Sequence, residues 1–134
     1  MNTASILYLE NLRSQATHNQ SGSHIMIDAP TDNQGLGEAF SPTDLVATAL
    51  GACMLTIMGI AAKTHQIDMA GTKVEVEKIM GSTPRRIAQI NITISLPPNG
   101  YTDRQKQILE VSARGCPVTK SLHPDLVQNV VFVY

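Results

Sequence analysis

Charge is scarce in this sequence. Asp, Glu, Lys and Arg make up 16% of its 134 residues, against roughly 25% in an average soluble domain. A small chain this poor in charge is expected to hide part of its surface against another chain, because interface cores are depleted of charge. Neither sign dominates, since ten basic residues stand against eleven acidic ones, so there is no positive field to hold a polyphosphate. Aromatics are few, at 4%, and offer little on which bases could stack. Both features argue against nucleic-acid binding.

Cysteine is nearly as rare. Cys53 and Cys116 are the only two, 63 positions apart. That is no disulfide framework, and without CxxC or HxxxH it is no zinc spacing either, so no metal is assigned. The opening MNTASILYLENLR lacks the basic start and long apolar core of a signal peptide. The expectation is therefore a cytoplasmic protein whose two cysteines begin as thiols. One uncharged stretch, LVATALGACMLTIMGIAA (45–62), formally reaches the length of a membrane span. It carries two Thr and two Gly, has no cluster of basic anchors, and sits among segments that alternate apolar and polar, so a membrane partner is rejected.

What remains is an ordinary globular composition, 43% apolar, sized for a single domain spanning 1–134 or for a subunit whose core a partner completes. The first 28 residues read as short strands, ILYLE, RSQATHN and HIMID, with a hairpin turn at Asn19 to Gly22. DAPTDNQGLGEAF (28–40) is a loop long enough to suggest a binding or lid segment. SPTD (41–44) starts a helix: Ser41 caps, Pro42 suits the first position, and Asp44 stands where a capping-box acid belongs. The helix is expected to run to about Lys63. Its small residues Thr48, Ala49, Ala52, Cys53, Thr56 and Gly59 share one sector beside a bulkier one of Val46, Leu50, Met54 and Ile57. No face is polar, which predicts burial all round.

TKVEVEKIM and RIAQINITISL then alternate with period two, joined through Gly81 to Arg85. Thr102 caps a second helix that stops at Gly115, and Cys116-Pro117 opens a short third one ended by His123-Pro124. NVVFVY closes as a strand. The order predicts an α+β fold with helices against an antiparallel sheet. The histidines at 18, 24, 65 and 123 fall at strand ends, a helix end and a proline stop, without metal-ligand spacing. Of the two thiols, Cys116 is placed at a helix cap, where free N–H groups favour a thiolate, whereas Cys53 lies deep in its helix and would need a nearby cation or donor. Simple packing is the competing role for both.

SPTDLVATALGAC (41–53), the Cys-Met pair leading into TIMGIAA, and GCPVTKSL (115–122) together resemble the two signatures of the OsmC/Ohr family, in order and over nearly the whole chain. Within that family of osmotically inducible and organic hydroperoxide resistance proteins, the loop and helix start, DAPTDNQGLGEAFSPTDL, resemble the broad OsmC-like branch more than the best-studied peroxidases. The resemblance implies an intertwined homodimer built around the two long helices, with sites at the subunit interface. It also implies thiol-dependent reduction of organic hydroperoxides or peroxide without a bound cofactor. Cys53 would attack the peroxide and become a sulfenic acid, Cys116 would resolve it as a disulfide, and an external dithiol, free or carried by a partner protein, would reduce the pair again.

Two departures from the family pattern stand out. Peroxidase branches place a glutamate directly after the helix-start proline, where this chain has Thr43. Asp44 and Glu38 are the candidate substitutes, although capping explains Asp44 equally well. The family's site arginine comes from the N-terminal region, where Arg13 is available, either as that cation or as a solvated strand residue. The alternative to an enzyme is a binding module that holds an apolar small molecule at the dimer interface, with the cysteines only packing.

Overall fold

Helix boundaries fall where the capping residues put them. The computed structural model describes residues 1–134. It runs through strands β1 (Ala4–Glu10), β2 (Arg13–His18) and β3 (His24–Asp28), then the long helix α1 (Pro42–Thr64). Strands β4 (Lys73–Gly81) and β5 (Arg86–Ser95), helices α2 (Asp103–Arg114) and α3 (Pro117–Ser121), and strand β6 (Val127–Val133) follow. The fold is α+β. The chain forms two compact units, Met1–Val46 and Ala47–Tyr134, and α1 begins in the first and continues through the second.

In the first unit β1, β2 and β3 form an antiparallel sheet in sequence order. The β1–β2 turn is tight enough to put Glu10, Asn11 and Leu12 all at positive φ. The segment after β3 leaves and returns to one place: Ile27 bridges Phe40, and Asp28 N–H donates to the Phe40 carbonyl at 3.1 Å. Inside it, a 3-10 turn covers Thr31–Asn33. Gly35 crosses the chain so closely that a Cβ there would lie 1.7 Å from the Ala29 carbonyl oxygen. The long loop is thus a folded closure with its own hydrogen bonds. Ser41 N–H donates to Asp44 Oδ2 at 3.0 Å and Asp44 N–H to Ser41 Oγ at 3.1 Å, a reciprocal capping box at the start of α1.

In the second unit β4 and β5 make the expected antiparallel hairpin, with Val74 and Val76 opposite Ile94 and Ile92. β6 departs from the expected antiparallel sheet, because it runs parallel to β5. The reason lies in the connection. A hairpin reverses the chain, whereas α2 and α3 carry it back along the sheet so that the next strand starts at the same end. Thr102 caps α2 by accepting from Gln105 N–H at 3.1 Å, while its own N–H donates to Gln105 Oε1 at 2.9 Å. The core joins Leu50, Met54 and Met58 of α1 to Ile90, Ile92 and Ile94 of β5 and Leu109 of α2, all fully buried.

Within one chain, helix α1 is buried along one stripe and not all round. By length and composition it could cross a membrane, yet one stripe, Leu50, Met54, Met58 and Ala62, lies in the protein's own core. The small sector with Thr48, Ala49, Ala52 and Thr56 is exposed, and Ile60 keeps 59% of its surface open. One chain supplies too little sheet to cover a second face of a helix 23 residues long.

Candidate active site

Gly51 sets how closely α1 approaches the sheet. A Cβ there would stand 2.8 Å from Val76 Cγ2 and 3.1 Å from Val74 Cγ1, so only hydrogen fits. Two residues on, Cys53 is half-buried at the edge of the core. The other thiol is placed by a helix stop and restart. Gly115 ends α2, with its N–H donating to the Ser112 carbonyl at 3.2 Å. Pro117 then begins α3, and Cys116 between them is extended and acts as the cap. Its sulfur accepts from Thr119 N–H at 3.4 Å and shares a second hydrogen bond with the Thr119 hydroxyl at 3.0 Å. Cys116 is fully buried.

The fold brings these two cysteines together. Both are free thiols, and their sulfurs lie close enough to act on each other. Burial pushes the Cys53 thiol up, and the Cys116 sulfur adds to that rise; the Val118 N–H, at the start of α3, opposes it by favouring the anion. No guanidinium contributes. Within this single chain, Cys53 is therefore held as a thiol beside an amide donor and a second sulfur.

A separate ionic cluster forms inside the first unit. Arg13 and Asp28 are cross-strand partners on β2 and β3. Arg13 Nε donates to Asp28 Oδ1 at 2.7 Å and Nη2 to Asp28 Oδ2 at 2.9 Å, while Nη2 also reaches Glu38 Oε2 at 2.9 Å. Glu38 N–H donates back to Asp28 Oδ2 at 3.0 Å. Asp28 is only 1% exposed, whereas the Glu38 side chain is 64% open. The Arg13 guanidinium, opposed by burial and helped by the Glu38 N–H, holds the Asp28 carboxyl below the usual carboxylate range. A cavity of about 250 Å³ adjoins the cluster, with Tyr8, Leu12, Ile27 and Pro30 in its walls.

The candidates thus sort into groups. Cys53 and Cys116 meet in the second unit, and Arg13 and Glu38 meet in the first. Arg13 is neither a lone cation nor a solvated strand residue, because a buried carboxylate fixes its plane. Asp44 has the capping role, and Thr43, where the resemblance led to a glutamate, shares a hydrogen bond with Ser41 Oγ at 3.2 Å. Sequence reasoning missed Asp28 and Thr119. The signal for Asp28 was an acid closing HIMID opposite an arginine opening RSQATH. The signal for Thr119 was a hydroxyl three residues after a cysteine at a helix cap.

The protein is thus an α+β scaffold in which two free cysteines from distant segments lie near each other. Comparison gives the scaffold a family. Residues 35–129 match the family model described as OsmC-like protein, and the chain belongs to that family. A crystal structure from Psychrobacter arcticus 273-4, provisionally named for osmotic stress induction and detoxification response, is 48% identical, with 98% of this chain and 96% of that chain covered and a TM-score of 0.94. The organic hydroperoxide resistance protein OsmC of Legionella pneumophila shares the fold at 16% identity, with 98% and 95% covered and a TM-score of 0.73. So does a Vibrio cholerae protein provisionally named for organic hydroperoxide resistance, solved with captopril in one of its active sites, at 15% identity, with 98% and 92% covered and a TM-score of 0.74. No curated protein matches the sequence.

Proposed function

We propose that this protein is a thiol-dependent peroxidase for organic hydroperoxides or peroxide. The observation that carries the reading is the nearness of Cys53 and Cys116, 63 residues apart in sequence yet close enough in the fold for the Cys116 sulfur to raise the Cys53 pKa. The Cys53 thiolate attacks the outer peroxide oxygen, the O–O bond breaks, and an alcohol leaves as Cys53 becomes a sulfenic acid. Cys116 displaces water from that sulfenic acid to give a disulfide. An external dithiol, in a reducing compartment such as the cytoplasm, restores both thiols by exchange. The electrons come from sulfur throughout, so the proposed reaction needs no metal, flavin or nucleotide.

Burial works against the thiolate, so the reaction requires a positive charge to favour it. The family resemblance makes Arg13 the candidate for that charge, and inside the first unit Asp28 and Glu38 fix its orientation. The working form is proposed to be a homodimer, in which the exposed small-residue face of α1 packs against a second copy. Peroxide consumption with a dithiol donor tests the reading. Wild-type protein should turn over, Cys53→Ser should be inactive, and Cys116→Ser should stop after one turnover. Equal activity in wild type and Cys53→Ser would refute it.

One observation favours a second reading. With Cys53 held as a thiol, the same scaffold suits a module that binds an apolar small molecule while its cysteines only pack. Native mass spectrometry separates the two, because a stoichiometric ligand without thiol oxidation supports binding.

A further inference from the structure

Helix α3 is only five residues long, yet the polar groups of its first turn are turned toward both sulfurs. The Val118 N–H acts on Cys53, and the Thr119 N–H and hydroxyl act on Cys116. Capping explains the backbone part, since a cap side chain needs only to accept from an N–H two or three residues on. It does not explain the hydroxyl. Helical hydroxyls usually bond back to the carbonyl four residues earlier, and Thr56, Thr64, Ser112 and Ser121 all do so, onto Ala52, Ile60, Ile108 and Pro117. Thr119 stands in the first turn of α3 with no helical carbonyl four residues behind it and, as the Thr43 hydroxyl does with Ser41 Oγ at the start of α1, its Oγ1 bonds the cap side chain, 3.0 Å from Cys116 Sγ. Its backbone is fixed from the sheet, where Gln128 Nε2 of β6 donates to the Thr119 carbonyl at 3.2 Å.

Resting on the thiol reading above, we propose that Thr119 is a catalytic residue of the step in which Cys116 closes the disulfide. The hydroxyl touches the attacking sulfur. When that sulfur is an anion it can only accept, so Thr119 donates, holding both the charge and the direction of Sγ. A bond forms between Cys116 Sγ and Cys53 Sγ, the Cys53 S–O bond breaks, and the hydroxide leaves as water with the proton lost from Cys116. The two electrons that the thiols give up have already cleaved the O–O bond of the hydroperoxide. The hydroxyl keeps Cys116 Sγ aimed as the new bond forms, and a hydrogen bond to a charged atom is stronger than one to a neutral atom. The net effect is a faster attack.

An aryl disulfide tests this step without any peroxide. The symmetric disulfide of nitrothiobenzoate should react first at half-buried Cys53, releasing one coloured thiolate and leaving an aryl group on Cys53. Attack by Cys116 then expels the second thiolate in a slower phase. Thr119→Val keeps the shape of the side chain and removes the hydroxyl. It should leave the first phase unchanged and slow the second about three- to tenfold, as the loss of one hydrogen bond to a charged atom implies. Thr119→Ser should restore the wild-type second phase, and Thr119→Ala gives the same contrast should valine disturb folding. The proposal is overturned by an unchanged second phase in Thr119→Val, by failure of serine to rescue it, by equal slowing of both phases, or by a wild type with no second phase. Hydroperoxide consumption by the same wild-type sample judges the peroxidase reading separately. A protein that shows both phases but consumes no hydroperoxide retains the role of Thr119 in joining the sulfurs and loses the peroxidase.

Discussion

Arg13 and Asp28 face each other across β2 and β3, joined by two hydrogen bonds of 2.7 and 2.9 Å. The carboxyl they hold ionised has a folded-state pKa below that of the unfolded chain, so folding is favoured wherever the unfolded carboxyl is also charged. That contribution is complete above about pH 4, the ordinary range of an aspartate, and fades as pH falls through the lowered value. Wild-type thermal midpoints should therefore hold steady from neutral pH down to about 5 and drop below about 4. Asp28→Asn should lower the midpoint at neutral pH and flatten the acid limb. An acid limb of unchanged depth in Asp28→Asn would show that other carboxylates govern it.

Cys53 offers a second pH measurement, of opposite sign. Burial and the Cys116 sulfur both raise its pKa, and removing the sulfur removes one of the two. In Cys116→Ala, alkylation of Cys53 should reach half its limiting rate at lower pH than in wild type protected from oxidation. A midpoint that stays put or rises would mean that the sulfurs do not interact.

Gly51 has no room to grow. Overpacking a core costs about 1–3 kcal/mol, and replacing a mid-helix glycine by alanine returns about 0.5–1. Gly51→Ala should therefore lose about 1 kcal/mol in denaturant unfolding, and Gly51→Val distinctly more. Any stabilisation by alanine would show that Val74 and Val76 yield without cost.

The exposed face of α1 predicts association. Ala52→Glu should place an unpaired charge in a helix contact and convert a dimer into monomers, read as a halving of mass by light scattering. A wild-type monomer, or a dimer that tolerates the glutamate, would remove α1 from the interface.

Much of the architecture could be read from local chemistry. Ser41 with Asp44, Thr102 with Gly115, and Cys116 with Pro117 each mark a helix end through bonds made within three or four residues, and such bonds leave a residue-type signature. Burial and direction depend on more distant parts of the chain. The parallel course of β6 follows from where α2 and α3 deliver the chain, and the open face of α1 depends on how much sheet one chain can offer. The same division holds at the site. Motif resemblance found both cysteines, but Asp28 matters through a cross-strand register and Thr119 through a rotamer. In sequence each leaves only a slight signal, the acid closing HIMID opposite Arg13 and the hydroxyl three residues after Cys116.

The meeting of two distant thiols underlies every reaction proposed here, and peptide mass mapping of the reduced protein after one equivalent of an alkyl hydroperoxide tests it most directly. A single species two hydrogens lighter, with peptides containing Cys53 and Cys116 joined, is the predicted result. Folded protein in which both cysteines remain free thiols would contradict it.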